Sequence, residues 1–491
     1  MSIQSAWQGT FSFFEKLPIV VEPSQARLSS DAGLLPIREF DERLGLTRQF
    51  AEALEDPRDI ELIDHSFLEM ARARIFGILA DYEDQNDHDT LRYDPVFKLV
   101  AGRTPDGPDL ASQPTLSRFE NAINIASLKK LRDVFIDQFI ASFATPPKSL
   151  TFDMDAVDDP AHGEQQLVLF HGYFDQYQYF PLLITCAETD QFVMVSLRPG
   201  AVHAALGADD DLEYLVRRLR QVWPGIRILV RGDGGFGVPW MYNVCERLSI
   251  EFIYGLSTNN VLKNRSETLL QGAVDAFTHS QVAQRLFDGF WYQAKSWPCA
   301  RWVVVKAEAN AQGSNRRFIV SNRPGARVVP EAAYDHYAMR GESENRNKEF
   351  KCDLAMDRTS DHRFLANYFR LYLHAAAMNL LIRLRREVAE PPLPETTPTP
   401  LAEPLPVDVP VEAWTGEHRR RYFRWRRLKD PLGEGHPCTW RTLLIKVAAE
   451  VLVSGRRILV RLSASWPHLD FFRQLCEHFA PATPPLSDLS G

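Results

Sequence analysis

The sequence predicts a mixed α/β fold: an α/β core with a β-rich insertion, preceded by a helical N-terminal domain and followed by a basic α/β tail. Three observations lead to this prediction. The length of 491 residues allows two to four domains. Apolar residues recur at helical spacing before residue 149, and short strand-like runs alternate with helical patterns after it. A proline-rich stretch then separates this part from a segment rich in arginine and aromatic side chains.

The charge of the chain is uneven along its length. The net charge is −8, which taken as a whole argues against a basic nucleic-acid binder. Residues 1–150 carry 24 acidic and 16 basic side chains, whereas residues 151–386 carry 27 of each. All the basic side chains of residues 387–491 lie between Arg419 and Arg473. The average therefore conceals a basic segment near the end.

Residues 1–148 make up the helical N-terminal region. Its strongest helical patterns cover 35–46, 47–54, 63–79 and 128–143. A further short helix is expected from Ser112 to Glu120, with a proline in its first turn. This helix carries Arg118, and the residues alone fit a recognition helix or a packing helix equally well.

The patterns in residues 149–256 predict three strands, then a helix, a strand, a helix and a final strand. This is the order of a ribonuclease-H-like core. The predicted elements are Ser149–Val157, Tyr179–Cys186, Phe192–Leu197, Leu212–Trp223, Ile226–Val230, Val238–Arg247 and Ile250–Tyr254.

The alternation then breaks, so residues 257–330 are predicted to be a β-rich insertion. Helical patterning returns in residues 331–388, which we expect to supply the last helices of the core. Residues 389–413 are a proline-rich linker, and residues 414–491 form the basic C-terminal region. The insertion has strand-like runs at 290–294, 302–307 and 318–322, and the C-terminal region has a helical run at 443–453 and a strand-like run at 456–461.

Membrane and secreted classes fit the sequence poorly. The longest strongly apolar stretch, Leu373 to Ile382, is far shorter than the ~20 residues of a membrane span. The first residues show no basic region followed by an apolar core, so no secretory signal is expected. Six cysteines are scattered without paired spacing, which indicates reduced thiols and a cytoplasmic location.

Acidic residues at strand ends are the strongest sign of chemistry. Asp153 and Asp155 stand two apart on a predicted buried strand, so both project from one face. Asp233 ends another apolar strand and is followed by two glycines. Carboxylates on a buried strand without a basic neighbour in that strand suggest a metal, because an unpaired buried charge is unfavourable. Taken alone, Asp233 also fits an ordinary turn residue.

A fourth acidic residue lies on a helix predicted to start near Glu342. Glu344, Lys348 and Lys351 share one face of that helix, with Arg340 one turn before it. One acid flanked by bases suits a metal ion held beside phosphates, although Glu344 and Lys348 alone also fit a solvated ion pair.

Tyr337, Arg340, Glu344 and Lys351 reproduce the spacing Y-(2)-R-(3)-E-(6)-K. In this they resemble a superfamily of bacterial insertion-sequence transposases that have a DDE catalytic triad and a ribonuclease-H-like core. Six further segments look like motifs of one group within it: Leu28–Leu34, Arg92–Pro95, Ser112–Arg118, Gly172-Tyr173, Pro181–Leu183 and Arg231–Phe236.

The resemblance implies that Asp155, Asp233 and Glu344 are the catalytic, metal-binding triad. Asp153 is a rival first ligand, because Val157 stands where the family often has threonine. The implied cofactor is a pair of Mg²⁺ ions held by carboxylate oxygens, with Mn²⁺ able to substitute. The residues implied to contact DNA around this centre are Tyr337, Arg340, Lys348, Lys351 and Trp297, with Trp291 as the alternative base-stacking residue.

The implied function is cut-and-paste transposition, with cleavage at terminal inverted repeats and strand transfer to target DNA. The implied partners are double-stranded DNA and a second copy of the chain in a synaptic complex at the nucleoid. The helical N-terminal region is then a DNA-binding region, with Arg118 as one contact. The basic segment supplies further DNA contacts or is simply a solvated helix; its arginines are Arg420, Arg421, Arg424, Arg426 and Arg427.

Two other functions stay open from the sequence. One is a metal-dependent nuclease that does not transpose, and the other is a domesticated, catalytically silent DNA-binding protein. The intact set of Asp155, Asp233, Glu344 and Lys351 disfavours the second.

Overall fold

Helices dominate the N-terminal part of the chain. The computed structural model describes residues 7–13, 17, 19–161, 163–389 and 435–479. Three short strands come first: β1 Gly9–Phe11, β2 Ile19–Val21 and β3 Leu28–Ser29. The helices that follow are α1 Leu34–Leu44, α2 Leu46–Glu52, α3 Phe67–Leu79, α4 His88–Leu91, α5 Pro95–Ala101, α6 Gln113–Asn121 and α7 Ile125–Ala141.

Strands and helices alternate through the middle of the chain. The first group is β4 Ser149–Ala156, β5 Asp159–Pro160, β6 Leu169–His171, β7 Gln176–Tyr179, β8 Leu182–Cys186, β9 Phe192–Ser196, α8 Ala208–Val222, β10 Arg227–Gly232, α9 Pro239–Arg247 and β11 Glu251–Leu256. The second group is α10 Asn260–Arg265, α11 Glu267–Ser280, β12 Gln284–Tyr292, β13 Arg301–Asn310, β14 Gly313–Ser321, α12 Gly325–Val328, α13 Pro330–Ala338, α14 Gly341–Lys348 and α15 Phe364–Ala389.

An eight-stranded mixed sheet organises these elements in the order β12-β13-β14-β11-β10-β4-β8-β9. The neighbours β4, β10 and β11 are parallel, whereas the other pairings are antiparallel. Met154 of β4 pairs with Gly232 of β10, so Asp155 and Asp233 lie at the same level. Their side chains meet at the edge formed by the carboxyl ends of the parallel strands.

The two faces of the sheet bury different partners, because successive strand residues point to opposite sides. One face packs with α7, α8 and α9 around Phe152, Met154 and Val230. The other face, which bears Leu229 and Ile253, is covered by α13. We call this second face the α13 face. Because side chains alternate along a strand, Asp153, Asp155 and Asp233 project from the α13 face.

Helix α15 joins the N-terminal helices to the sheet. Phe369 on this helix packs against the rings of Phe50 and Phe119. Farther along, the side-chain amide of Asn379 accepts from the backbone N–H of Phe192 and donates to its carbonyl, at 2.9 and 2.8 Å. The edge strand β9 is thereby covered rather than left open to another strand. Among the described residues, no helix is long and apolar enough to cross a membrane.

The last described segment packs on the N-terminal helices. It comprises α16 Pro437–Trp440, a π-helical turn Arg441–Ile445, β15 Ala449–Val453, β16 Ile458–Leu462 and α17 Leu469–Phe479. Strand β15 pairs with β3 as well as with β16. The ring of Phe479 contacts Phe40 at 5.0 Å between centroids, and the Arg441 guanidinium donates to the carbonyl of Leu79 at 3.1 Å.

The predicted helix over 443–453 is wrong. Its second half is strand β15, in which Ala449 and Val451 are buried while Glu450 between them is only partly buried. The strand pairing with β16 and β3 overrides the helical spacing of the apolar residues. Residues 390–413 of the predicted linker, and the arginines from Arg419 to Arg427, lie outside the described residues.

A substitution at Gly33 tests whether packing of the C-terminal segment contributes to the stability of the fold. A Cβ at this position would lie 2.0 Å from the carbonyl oxygen of Leu444. We expect Gly33→Ala to lower the free energy of unfolding by roughly 1–3 kcal/mol, because one backbone must shift away from the other. Gly225→Ala, where a Cβ would meet nothing within 4 Å, is the matched control in urea denaturation. Equal stability of the two variants would contradict this packing.

Candidate active site

Asp155 and Asp233 lie side by side at the carboxyl edge of the sheet. The Asp155 carboxylate accepts from the backbone N–H of Ala156 at 3.0 Å and from the side-chain amide of Asn347 at 2.9 Å. The Asp233 carboxylate accepts from the N–H of Gly235 at 2.8 Å, within the turn that follows β10. Both side chains are partly exposed. They are therefore positioned by backbone and amide donors and still reach solvent.

Helices α13 and α14 bring the rest of the predicted signature to this edge. The Arg340 guanidinium is 3.7 Å from the Asp155 carboxylate and forms an ion pair with Glu344. The Tyr337 ring centroid lies 6.0 Å from the Arg340 guanidinium carbon. Gly255 of β11 allows this close packing, because a Cβ there would lie 2.8 Å from the Tyr337 hydroxyl.

The carboxylates influence one another electrostatically. Burial raises the pKa of Asp155 to about 6; the charges of Asp233 and Glu344 also raise it, while Arg340 and Asn347 act in the opposite direction. Burial likewise raises the pKa of the Tyr337 phenol. Arg340 is thus the cation that the three carboxylates share.

Asp153 is occupied by a different partner. The Arg231 guanidinium donates to both of its carboxylate oxygens, at 2.6 and 2.7 Å, and the pair is buried. Arg231 also donates to the carbonyl of His336 at 2.8 Å. These bonds join β4, β10 and α13, and they leave Asp155 as the aspartate of β4 that reaches the open edge. The compensating charge expected from a metal at Asp153 comes from the neighbouring strand instead.

Lys351 does not follow Lys348 along one regular α-helical face. A π-helical turn, Glu349–Asp353, begins directly after α14 and changes the direction of the side chains. The Lys351 ammonium donates to the carbonyl of Asp158 at 2.8 Å and to its carboxylate at 3.0 Å. Lys351 therefore lies beside the end of β4, whereas Lys348 is exposed on α14.

The two candidate tryptophans lie in opposite environments. Trp297 is only 6% exposed and packs against Tyr242 and Tyr292 in the core on the far side of the sheet. Its predicted contact with a base is therefore not supported. Trp291 is 48% exposed and pairs across the strands with Trp302, which belongs to the α13 face.

The predicted outer DNA contacts are separate from this cluster. Arg118 is exposed on α6, where it donates to the Thr115 hydroxyl at 3.0 Å. The basic arginines Arg420, Arg421, Arg424, Arg426 and Arg427 lie outside the described residues.

Arg231, Asn347 and Asp158 contact the predicted site residues but were not predicted to belong to the site. Arg231 was visible as a charge within an apolar strand, but its partner depends on the register that places it opposite Asp153. Asn347 stands one helical turn after Glu344 and so could have been considered. Asp158 could not be identified from the sequence, because its contact with Lys351 depends on the π-helical turn.

The chemistry of this cluster fits a hard divalent cation. Carboxylate oxygens are the ligands that Mg²⁺ prefers, and Arg340 supplies positive charge to Asp155 and Glu344. The Arg340 Nη1 atom is buried without a hydrogen-bond partner. The described residues contain no group of three or more His, Cys, Asp or Glu side chains already gathered closely enough to hold a metal. Glu344 would have to turn from Arg340 to complete such a set.

A mixed sheet with paired aspartates at its edge, and an arginine, a lysine and a glutamate beside them, is suited to an enzyme that acts on phosphodiesters. A family model described as "Transposase DDE domain group 1" matches residues 11–401. The match spans well over half of the chain, so this protein belongs to that family of DDE transposase domains. Membership supports a transposase function and implies nuclease or transesterase chemistry. No curated protein matches the chain.

Two aspartates on the same strand face should differ sharply in their effect on stability. We expect Asp153→Ala to lower the free energy of unfolding by about 3–5 kcal/mol, because it leaves the Arg231 charge buried without a counter-charge, with only the His336 carbonyl as a partner. Asp155→Ala should cost far less, since Arg340 keeps Glu344 as a partner. Urea denaturation of both variants measures the difference. Comparable losses would contradict the structural role given to Asp153.

The raised pKa of Asp155 predicts a pH dependence with a definite sign. The native carboxyl binds a proton more tightly than the unfolded one, so its contribution to stability is present at low pH and is lost as the pH rises through about 6. Asp155→Asn should therefore gain roughly 1–3 kcal/mol over wild type between pH ~4 and ~7. Urea titrations across this range test it, with Asp210→Asn, an exposed carboxylate on α8, as the control. A gap between Asp155→Asn and wild type that does not change with pH would contradict it.

Proposed function

We propose that this protein is a metal-dependent DNA transposase. In the proposed reaction it cleaves DNA at the terminal inverted repeats of an insertion sequence and transfers the ends to target DNA. The observation that carries the proposal is that Arg340 contacts both Asp155 and Glu344, with Asp233 level with Asp155 on the next strand and with Tyr337 and Lys351 nearby. These are the positions of the DDE and Y-(2)-R-(3)-E-(6)-K signatures.

The strand order supports a ribonuclease-H-like core. Strands β9, β8 and β4 form an antiparallel meander, and β10 and β11 extend it in parallel on the other side of β4. We assign residues 149–256 and 331–388 to this core and residues 257–330 to an insertion that continues the same sheet. Residues 1–148 are then the DNA-binding N-terminal region, and residues 389–413 and 414–491 are the linker and the basic C-terminal region.

Asp155, Asp233 and Glu344 would hold the divalent ions, Mg²⁺ with Mn²⁺ as a substitute. Such ions, when bound, activate an attacking oxygen and stabilise a leaving oxygen. Arg340 is positioned to exchange Glu344 for a DNA phosphate, because both are anions that a guanidinium binds through paired hydrogen bonds. That exchange would release Glu344 toward the two aspartates. Lys351, held by Asp158, adds a second positive charge next to the phosphate.

The reaction consists of two phosphoryl transfers. In cleavage, a water oxygen forms a bond to phosphorus, the bond to the 3′ oxygen breaks, and that oxygen leaves as a hydroxyl after taking up a proton. In strand transfer, the 3′ hydroxyl forms a bond to a target phosphate and displaces another 3′ oxygen. The second step exchanges one phosphodiester for another and needs no energy source.

Other DNA contacts are assigned by exposure. Trp291 replaces Trp297 as the base-stacking candidate, and Arg327 lies 4.5 Å from its ring centroid and offers a cation for the adjoining phosphate. Lys348 and Arg118 are exposed and available to the DNA backbone. A synaptic complex of two protomers at the nucleoid completes the proposal, since two transposon ends must be brought together.

Purified full-length protein, a labelled terminal-repeat duplex and Mg²⁺ test the function. Asp155→Asn, Asp233→Asn and Glu344→Gln should each reduce strand cleavage by at least ~10³-fold, because each removes a charged ligand from the centre. Glu342→Gln, two residues before Glu344 on the same helix, is the control and should cleave like wild type.

Equal cleavage by all four variants would contradict the catalytic assignment. Cleavage by wild type without any joining to target DNA would identify a nuclease rather than a transposase. Binding of the repeat without cleavage, in both metals, would identify a silent DNA-binding protein.

A further inference from the structure

An aromatic hairpin extends from the catalytic edge of the sheet. Strands β6 and β7 form it, and β7 also pairs with β5, which begins four residues after Asp155. Phe170 and Tyr177 face each other across the two strands, with ring centroids 5.5 Å apart. Tyr173 stands at the tip and is 86% exposed. The hairpin thus presents aromatic rings to solvent beside the proposed centre.

The hairpin is held firmly at its base. The Thr359 hydroxyl lies 3.0 Å from the buried Asp159 carboxylate, and Asn367 donates to the Tyr179 hydroxyl at 3.2 Å. His171 and Phe174 pack on the buried ring of Phe180. The base of the hairpin is therefore fixed by packed and hydrogen-bonded side chains, so the backbone that carries the exposed rings is already in place before a ligand binds.

The composition of the hairpin selects its ligand. Residues 163–197 contain no lysine or arginine, so the hairpin has no cation with which to bind the phosphate backbone. Flat, uncharged rings suit the faces of nucleobases, which stack on aromatic side chains. The cations that would hold the phosphates lie next to it, since Lys351 is bonded to Asp158, the residue before β5.

Side-chain contacts connect this surface to the proposed centre. The side-chain amide of Gln176 on β7 donates to the Asp158 carboxylate at 3.2 Å, and the same carboxylate accepts from Lys351 at 3.0 Å. Asp159, which follows Asp158, pairs with Tyr179 of β7 and lies four residues after Asp155. The hairpin therefore leaves the fold next to the end of the strand that carries Asp155.

We propose that Tyr173, Phe170 and Tyr177 form a stacking platform for unpaired bases of the DNA strand that enters the catalytic centre. This rests on the proposed function in taking DNA as the ligand. The platform is separate from Trp291, because Trp291 lies on β12, an edge strand of the eight-stranded sheet, whereas β5, β6 and β7 form a three-stranded sheet of their own.

Forked DNA tests the platform without requiring cleavage. The probe is a forked duplex whose single-stranded arm carries 2-aminopurine, bound to the full-length protein in Ca²⁺. Stacking should quench the 2-aminopurine fluorescence. Tyr173→Ala should weaken binding of the forked DNA by about tenfold and relieve the quenching, whereas Tyr173→Phe should keep both. Val222→Ala removes an exposed apolar side chain at the C-terminal end of α8, outside the residues assigned to DNA binding, and is the control.

Loss of affinity for forked DNA, with unchanged affinity for fully paired duplex, supports the platform. Wild-type behaviour of Tyr173→Ala overturns it. A change in sedimentation of Tyr173→Ala without a change in quenching also overturns it, because the hairpin would then contact a second copy of the chain. Cleavage of terminal-repeat DNA by wild type is measured in parallel. If cleavage persists while the platform test fails, only this inference is lost.

Discussion

The buried pair of Asp153 and Arg231 is the constraint on which the catalytic edge depends. It connects two adjacent parallel strands through both carboxylate oxygens, and the same guanidinium binds the His336 carbonyl on α13. A buried ion pair adds little stability over an apolar pair, but breaking it is expensive. The pair instead sets the position of α13 relative to the sheet. It holds α13, which carries Tyr337 and leads to Arg340, against the strands that position Asp155 and Asp233.

Charge balance at the edge follows from this positioning. Three carboxylates are brought toward one another, and the charges of the other two raise the pKa of Asp155 beyond the effect of burial. Arg340 compensates part of that repulsion by contact with Asp155 and Glu344. The same guanidinium suits a DNA phosphate. Binding of substrate and completion of the carboxylate set are therefore coupled through one side chain in the proposed function.

Local pattern was enough to predict much of the fold and the chemistry of the site. The strand that contains Asp155 and the strand that ends just before Asp233 were predicted to within two residues, because buried strands between polar turns are distinctive.

Contacts that depend on register could not be predicted: the partner of Asp153 lies on another strand, 78 residues away. The π-helical turn that redirects Lys351 has no clear sequence signal. Trp291 lies on β12 and faces Trp302, whereas Trp297 lies in the loop after β12 and packs into the core on the other side of the sheet, a difference that local pattern does not reveal. The helix predicted over 443–453 was wrong because pairing with β3 favoured a strand.

Iron-directed cleavage of the protein backbone would show which side chains hold the divalent ions. Fe²⁺ replaces Mg²⁺ at carboxylate sites, and ascorbate with peroxide then generates radicals that cut the nearest peptide bonds. If these three carboxylates hold the ions, cuts will fall near Asp155, Asp233 and Glu344 in the presence of DNA and will be lost in a variant with all three replaced by amides. Cuts that cluster elsewhere, or that persist in that variant, would contradict the assignment of these carboxylates as the metal centre.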